Sequence, residues 1–422
     1  MEGLRYMKFE LGYDKTTKTL DIQNDNLLGV MKPNAVQAEL TGAEAVLRAL
    51  ETPVGTPRLS QIVKPGEKIV IITSDITRPM PTAVVLPHVL KEIESAGCSL
   101  SDICIVFALG NHRKHTPEEQ KYLLGEENFL KVKSVDLDTN DCVLMGTTKQ
   151  GTPVEIFRPV AQADRVIAFG NVEYHYFAGY SGGAKAIMPG VSTHNAIQAN
   201  HSMMVRDTAV AGRLDGNPVR EDIDSVTDFV RLDFIINVVL DERKKIIHAS
   251  AGHYIQAHRQ ACAFLDTLYK VRIERQADIV VASAGGYPKD INLYQAQKAL
   301  DNAKHACRDG GIIILCACCK EGLGEEVFER WMTGFPCPAD MVKEIACRFE
   351  LGGHKAAAIS MVLATKRIFL VSDMEPDFVR SMFMEPFADL QQAFDAARKQ
   401  LGSGARCYVM PYAGSTLPKA AV

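Results

Sequence analysis

Residues 175–185 read His-Tyr-Phe-Ala-Gly-Tyr-Ser-Gly-Gly-Ala-Lys, and Asn200-His201 follows closely. Two imidazoles, a glycine-rich turn and a primary amine concentrated in one short segment describe an active site. Gly179, Gly182 and Gly183 permit positive φ and close backbone approach, so their amides suit an anion such as a phosphate. Lys185 supplies a point charge or a nucleophilic amine. A nucleoside-triphosphate loop needs a Ser or Thr after its lysine, and Ala186 stands there, which disfavours that reading. A lone Gly-Gly-x-Lys would read as a tight turn with a solvated lysine, but the flanking histidines favour chemistry.

A second histidine-bearing cluster is Gly110-Asn111-His112-Arg113-Lys114-His115, and a third polar cluster is Ser74-Asp75-Ile76-Thr77-Arg78-Pro79. His112 and His175 each follow a predicted strand, so both can face one ligand from different sides. Two imidazoles flanking one carbon suit reversible proton transfer in either stereochemical sense. Asp75 is placed to orient a partner. Arg78 and Lys298 are carboxylate binders through charge-assisted hydrogen bonds, the alternative for Arg78 being a surface ion pair. With Lys185, His201 would offer a cofactor one nitrogen ligand and one anchoring amine; the alternative is a structural histidine on a helix.

The elements that must position these groups are legible as β-branched runs alternating with amphipathic stretches. Strands are predicted over 68–73, 103–109, 165–169 and 234–240, and helices over 82–96, 193–204 and 253–269. A second alternating set runs through 278–283, 293–307, 311–316, 339–347 and 367–372, and ends near 407–410. This pattern predicts two α/β domains with mostly parallel sheets. A charged segment at 269–276 sets the boundary, giving an N-terminal domain over 1–272 with the cofactor and catalytic histidines. The C-terminal domain, 273–422, would contribute substrate-binding residues. In open α/β sheets ligands bind beyond the carboxyl ends of the strands, which places 74–79, 110–115 and 171–185 together. The second domain repeats the arrangement at 285–290, leading into Tyr294, Gln295 and Lys298, so an active-site cleft between the domains is expected.

Bulk properties narrow the function. A formal charge of −4 provides no basic footprint for nucleic acid, and a small-molecule partner is expected instead. The first fifteen residues mix charges with isolated apolar side chains and lack the apolar core of a signal peptide, which predicts a cytoplasmic protein. The apolar run at 312–319 is far short of the ~20 residues that span a bilayer, so no membrane association is expected. Eleven cysteines include Cys316, Cys318 and Cys319 in that run. Buried thiols are the expected reading, with a soft-metal site as the alternative.

Taken together, SDITRP at 74–79, GNHRKH at 110–115, HYFAGYSGGAKAIMPG at 175–190, NH at 200–201, GGYPKDINLYQAQK at 285–298 and LGGHK at 351–355 resemble the nickel-pincer lactate racemase family. The resemblance implies a nicotinic-acid-derived mononucleotide with a thioamide and a thiocarboxylate arm and a carbon-bound nickel. Lys185 matches the lysine that joins this cofactor covalently, and His201 matches the protein ligand to nickel. Two sulfurs, a carbon and an imidazole suit square-planar Ni(II). Asp75, Thr77, Tyr180, Ser181, Gly182 and Gly183 complete the implied cofactor surroundings. His112 and His175 match the paired acid/base residues, while Arg78, Tyr294, Gln295 and Lys298 match positions around the substrate. The implied activity is racemisation or epimerisation at C2 of a 2-hydroxy acid, by reversible hydride transfer to the cofactor through a 2-keto acid. Cofactor-synthesis proteins are the implied partners.

One departure concerns the substrate. Lactate-type members carry Thr-Gly-x-His-Arg around the first histidine, whereas this chain has Leu109-Gly110-Asn111-His112-Arg113. Asn111 would offer a hydrogen bond to a longer or polyhydroxylated acid. The alternative functions are a carrier of nickel or of the nucleotide cofactor, in which His112 and His175 would be dispensable, and a phosphate-binding oxidoreductase.

Overall fold

A computed structural model describes residues 6–420. The start of the amino-terminal stretch read above for a leader therefore lies outside the described residues. The chain forms two compact units, one of residues 36–267 and the other of residues 1–35 with 268–422. Strands β1 (Tyr6–Tyr13) and β2 (Thr16–Gln23) form an antiparallel hairpin, followed by β3 (Leu27–Val30).

In the 36–267 unit, β4 (Ile69–Ser74) leads to helix α1 (Thr82–Ser95), β5 (Ile103–Ala108) to α2 (Pro117–Leu124), and β6 (Lys133–Asp136) follows. Next come β7 (Arg165–Asn171), α3 (His194–His201), α4 (Pro218–Ser225), β8 (Phe234–Leu240), β9 (Ile246–Gly252) and α5 (Gln256–Tyr269). The sheet order is β9-β8-β7-β4-β5-β6, parallel throughout except for β9. Ile69 to Ile72 and every residue of β8 are buried, as expected of parallel strands covered on both faces. Side-chain caps start the helices that matter below: Thr193 accepts from Ala196 N on α3, and Asn217 accepts from Val219 N and Arg220 N on α4.

In the other unit the strands are β10 (Ala277–Ser283), β11 (Cys307–Cys316), β12 (Arg367–Val371), β13 (Glu385–Phe387) and β14 (Cys407–Met410), with helix α6 (Leu293–Ala303) after β10. Their sheet runs β13-β12-β11-β10-β14-β3, wholly parallel. The helix expected over 293–307 stops at Ala303, and Cys307 opens β11 by pairing with Ala277.

The placement of β3 corrects the expected N-terminal domain over 1–272. Residues 1–35 belong with the carboxy-terminal strands, because β3 extends their sheet beside β14 and the hairpin buries Leu11, Tyr13, Leu20 and Ile22 in that core. The core partners include Ile279, Ile312, Ile314 and Phe369. Burying each large aliphatic side chain is worth roughly 1.5–3 kcal/mol, enough to hold a two-stranded hairpin that would be marginal alone. Cys316 and Cys318 lie in the same core, and burial pushes their thiols up to about 12 and about 11. They are therefore neutral thiols. Among the described residues no group of three His, Cys, Asp or Glu side chains is arranged to hold a metal. No helix among them is long and apolar enough to cross a membrane.

Candidate active site

Three adjacent strands, β7, β4 and β5, deliver the polar clusters from their carboxyl ends. After β4, the Asp75 carboxylate is almost wholly buried at 3% exposure. Its Oδ1 accepts the Thr77 N–H at 2.6 Å, and its Oδ2 pairs with His112 Nδ1, delivered by β5, at 2.9 Å. Thr77 Oγ1 lies 3.3 Å from the same nitrogen. Burial acts to raise the Asp75 pKa, but the hydrogen bonds from His112 and Thr77 outweigh it and hold the carboxyl below its ordinary value. An ionised Asp75 accepts a proton-bearing Nδ1, which leaves Nε2 as the nitrogen of His112 able to take a proton.

His175 is held differently. It sits in a two-residue antiparallel ladder, Tyr174–His175 against Gly179–Tyr180, and its Nδ1 accepts the Ala178 N–H at 3.2 Å. A backbone amide only donates, so the neutral ring carries its proton on Nε2. Burial, then the neighbouring charges of Lys185, His201, Arg78 and Arg220, holds His175 well below the ordinary histidine range. The ring stacks on Tyr176 and meets the Phe177 ring edge-on at 4.5 Å. The unit therefore presents one imidazole with an available lone pair, backed by a carboxylate, and one with an available N–H.

Lys185 lies in a 3-10 turn, Gly183–Ala186. Burial, then the Arg220 and Arg78 charges, drives its pKa well below the ordinary lysine value. No carboxylate among the described residues forms an ion pair with its amine, and none with the exposed Arg78 guanidinium. This setting disfavours the ammonium form and favours a nucleophilic amine.

His201 closes α3 at 7% exposure. Its Nδ1 lies 2.9 Å from Asn200 Oδ1. The orientation of that amide is fixed from behind: Asn200 Nδ2 donates to Asp222 Oδ2 at 2.8 Å and to Val219 O at 3.3 Å. Asp222, fully buried on α4, also takes the Thr148 and Thr152 hydroxyls. Asn200 Oδ1 must then accept from His201 Nδ1–H, so Nε2 carries the lone pair of the ring. This is the outer support that metal-binding histidines carry.

The glycine turn is clamped from inside. Arg220, fully buried on α4, donates to the carbonyls of Ala178 and Gly182 at 3.2 and 3.4 Å and also to that of Tyr180. His258 Nε2 donates to Ser181 O at 2.8 Å. Gly183, at φ 62°, packs so closely that a Cβ would stand 2.9 Å from the His258 ring. These contacts take the Gly183 amide out of the expected phosphate cradle. The Gly183 amide donates to Asn237 Oδ1, the Ser181 amide to Glu173 O, the Ser181 hydroxyl to Asn171 O and the Tyr180 hydroxyl to Asp266. Positive charge for an anion comes from the exposed Arg78 guanidinium.

Asn111 is engaged by His194 through its side-chain oxygen. The sequence reading passed over Asp222, Arg220, Thr148 and Thr152; the only signal was the Asn217-Pro218 helix start that sets α4 in place.

In the other unit, Tyr294, Gln295 and Lys298 share the first turns of α6, which Asn292 caps by accepting from Gln295 N at 3.0 Å. Gln295 and Lys298 are exposed, and Tyr294 is half-buried. Lys355, from the 351–355 motif, places its Nζ 3.6 Å from the centroid of the Tyr294 ring and donates to Tyr294 O at 2.5 Å. It thus steadies the aromatic residue at the head of that face.

Known proteins resemble this chain along nearly its whole length. Residues 13–212 match the model of a lactate racemase N-terminal domain and residues 273–417 that of a lactate racemase C-terminal domain. The chain is 35% identical over 414 residues to lactate racemase from Thermoanaerobacterium thermosaccharolyticum, covering 95% of this chain and 97% of that protein. It is 33% identical to lactate racemase from Lactiplantibacillus plantarum over the same shares. The solved lactate racemase apoprotein from Thermoanaerobacterium thermosaccharolyticum superposes with a TM-score of 0.87 at 34% identity, covering 98% of this chain and 100% of that one. A crystal structure of a Thermotoga maritima protein shares the fold at a TM-score of 0.60 and 17% identity, over 90% of this chain and 97% of that one.

Proposed function

The chain belongs to the lactate racemase family and is a racemase-type isomerase, and from that premise we propose that it interconverts the configurations at C2 of a 2-hydroxy acid with the aid of a nickel-pincer nucleotide held by Lys185 and His201. Lactate, for which the relatives are named, is the first candidate substrate; larger 2-hydroxy acids are the alternatives suggested by Asn111.

The residues fit such a group. Lys185 presents a buried, unpaired amine of depressed basicity, as covalent attachment through a thioamide requires. His201 presents Nε2 with its other nitrogen tied to Asn200. Since no other metal-ligating side chains cluster in the described residues, the remaining donors to nickel would come from the nucleotide, whose sulfurs and carbon suit a square-planar ion. When bound, this group would supply the acceptor and subsequent donor for the C2 hydride.

The chain's own residues handle the proton and the carboxylate. Arg78, exposed and without an ion-pair partner, binds the substrate carboxylate through two parallel hydrogen bonds. His112 Nε2 takes the hydroxyl proton from one face, and Asp75 stabilises the resulting imidazolium. His175 Nε2–H, in a setting that disfavours its own cation, donates a hydrogen bond to the substrate oxygen from the other side, and the proton held by His112 returns to that oxygen when the hydride returns. Loss of the hydroxyl proton and the C2 hydride leaves a 2-keto acid; return of both to the opposite configuration completes the isomerisation. The observation that carries this reading is the pair of histidines in complementary tautomers beside an unpaired lysine.

The test uses protein produced together with nickel and a cofactor-synthesis pathway. Single enantiomers of lactate and of larger 2-hydroxy acids in deuterium oxide are followed by chiral chromatography and mass spectrometry. Racemisation without deuterium at C2 is expected, since the hydride never mixes with solvent. A cofactor-loaded protein that racemises no acid, or one that washes deuterium into C2, overturns the proposal.

A further inference from the structure

His115 takes no part in the chemistry assigned above, yet its imidazole is bound on both nitrogens and its side chain is fully buried. The Ile76 N–H donates to His115 Nε2 at 3.0 Å. A backbone amide can only donate, so Nε2 is unprotonated and the ring proton sits on Nδ1. There it meets Asp136 Oδ1 at 2.7 Å, while the other Asp136 oxygen accepts the backbone N–H of His115 at 2.8 Å. The ring also meets Phe107 edge-on, with centroids 4.9 Å apart.

This single side chain joins three successive strand ends: Asp136 at the end of β6, the segment after β5, and the loop after β4. His112, three residues earlier, makes its contact with Asp75 on the same loop. Loop and segment are thus tied twice, at Asp75 and at the next residue, Ile76. The second tie orients the backbone from which Asp75, Thr77 and Arg78 project.

We propose that His115 is a positioning residue, a neutral Nδ1-protonated latch that fixes the 75–78 loop and so the aim of the Asp75–His112 pair and of Arg78. The catalytic consequence rests on the racemase reading; the latch itself does not.

Two variants of the full-length protein test it. His115→Phe keeps a ring against Phe107 and removes both hydrogen bonds; His115→Gln restores one acceptor and one donor. Amide hydrogen exchange at Ile76 should quicken by about tenfold or more in H115F and return most of the way in H115Q, since one buried backbone donor loses and regains its acceptor. In the cofactor-loaded enzyme, kcat should fall by about tenfold or more in H115F and recover in H115Q, following the known sensitivity of reaction rate to small misplacements. Unchanged exchange at Ile76 in H115F, or equal losses in both variants that merely track the folded fraction, overturns the proposal. If H115F does not fold, the nitrogen shifts of His115 in the parent protein decide: an Nδ1-protonated ring is expected, and an Nε2-protonated ring refutes the latch. If even the parent racemises no 2-hydroxy acid, the functional reading fails while the exchange comparison still decides this one.

Discussion

Replacing Asp75 by Asn isolates the one carboxylate that the site uses to support a base. The substitution keeps the volume of a side chain that is only 3% exposed. Its amide oxygen can still accept the Thr77 N–H, as Asp75 Oδ1 does at 2.6 Å. The amide nitrogen then faces His112 Nδ1, where Asp75 Oδ2 accepts at 2.9 Å. Two donors cannot share one bond, so the ring must move its proton to Nε2, the nitrogen needed as base. Loss of a hydrogen bond to a charged group is worth about 1.5–3 kcal/mol. At about 1.4 kcal/mol per decade, this amounts to a fall of about 10- to 150-fold in kcat/KM. The wrong tautomer deepens the loss, toward ~10⁴-fold in the limit. The assay is chiral analysis of initial rates from each enantiomer. For an enantiomeric pair the equilibrium constant is one, so kcat/KM must fall by the same factor in both directions. A folded, cofactor-loaded D75N enzyme within about twofold of the parent would refute the role given to the Asp75–His112 pair. The lowered Asp75 pKa also sets the acid limit of this support: it is complete above the unfolded value of about 4 and is lost as pH falls through the lower folded value.

Lys185→Met should abolish the cofactor adduct yet stabilise the apoprotein at neutral pH, because a lysine whose folded pKa is depressed costs stability at every pH below its unfolded value of about 10.4. A rise in Tm of about 1–3 °C is expected by calorimetry, and a fall would contradict the buried, unpaired amine. His175 is also depressed, so the stability associated with its neutral form is complete above about pH 6.5 and is lost as pH falls below that. Chemical denaturation of the apoprotein between pH 7 and pH 5 should accordingly lose stability more gently in His175→Phe than in the parent, by up to ~1.4 kcal/mol per pH unit; equal slopes would count against a neutral His175. Asn200→Ala should leave the Lys185 adduct intact while weakening nickel retention about 10- to 100-fold, as removal of outer support does at other metal sites. Metal analysis after dialysis reads this directly, and undiminished nickel would show that Asn200 does not orient His201.

The strands that carry the site were legible because each is a β-branched run followed at once by a polar cluster. That order foretold that the segments carrying Asp75, His112 and His175 would follow neighbouring strands. The amino-terminal hairpin was not legible. Residues 6–23 alternate polar with few apolar side chains, and the sheet that β3 joins is built from strands that begin at Ala277. No local pattern records a partner so distant in sequence. The glycine spacing at 179–183 reported backbone freedom truthfully but could not tell which amides would remain available. That depended on Arg220, His258 and Asn237, remote in sequence, which bind the turn from within. The support behind His201 was hidden for a similar reason: α4, PVREDIDS, reads as a polar surface helix, yet it buries both Arg220 and Asp222 because each finds partners inside. His115 stood in a quoted motif without a role, since its function is a bond to a backbone amide rather than to another side chain.

The central claim, that this chain holds its cofactor through Lys185 and works with the two histidines around it, is tested most directly by intact mass measurement with peptide mapping on protein made alongside nickel and a cofactor-synthesis pathway. A sulfur- and phosphate-containing adduct confined to the peptide bearing Lys185, present in His112→Ala and His175→Ala but absent from Lys185→Met, is the predicted result. An unmodified chain, under conditions in which a lactate racemase of the same family becomes loaded, would contradict it.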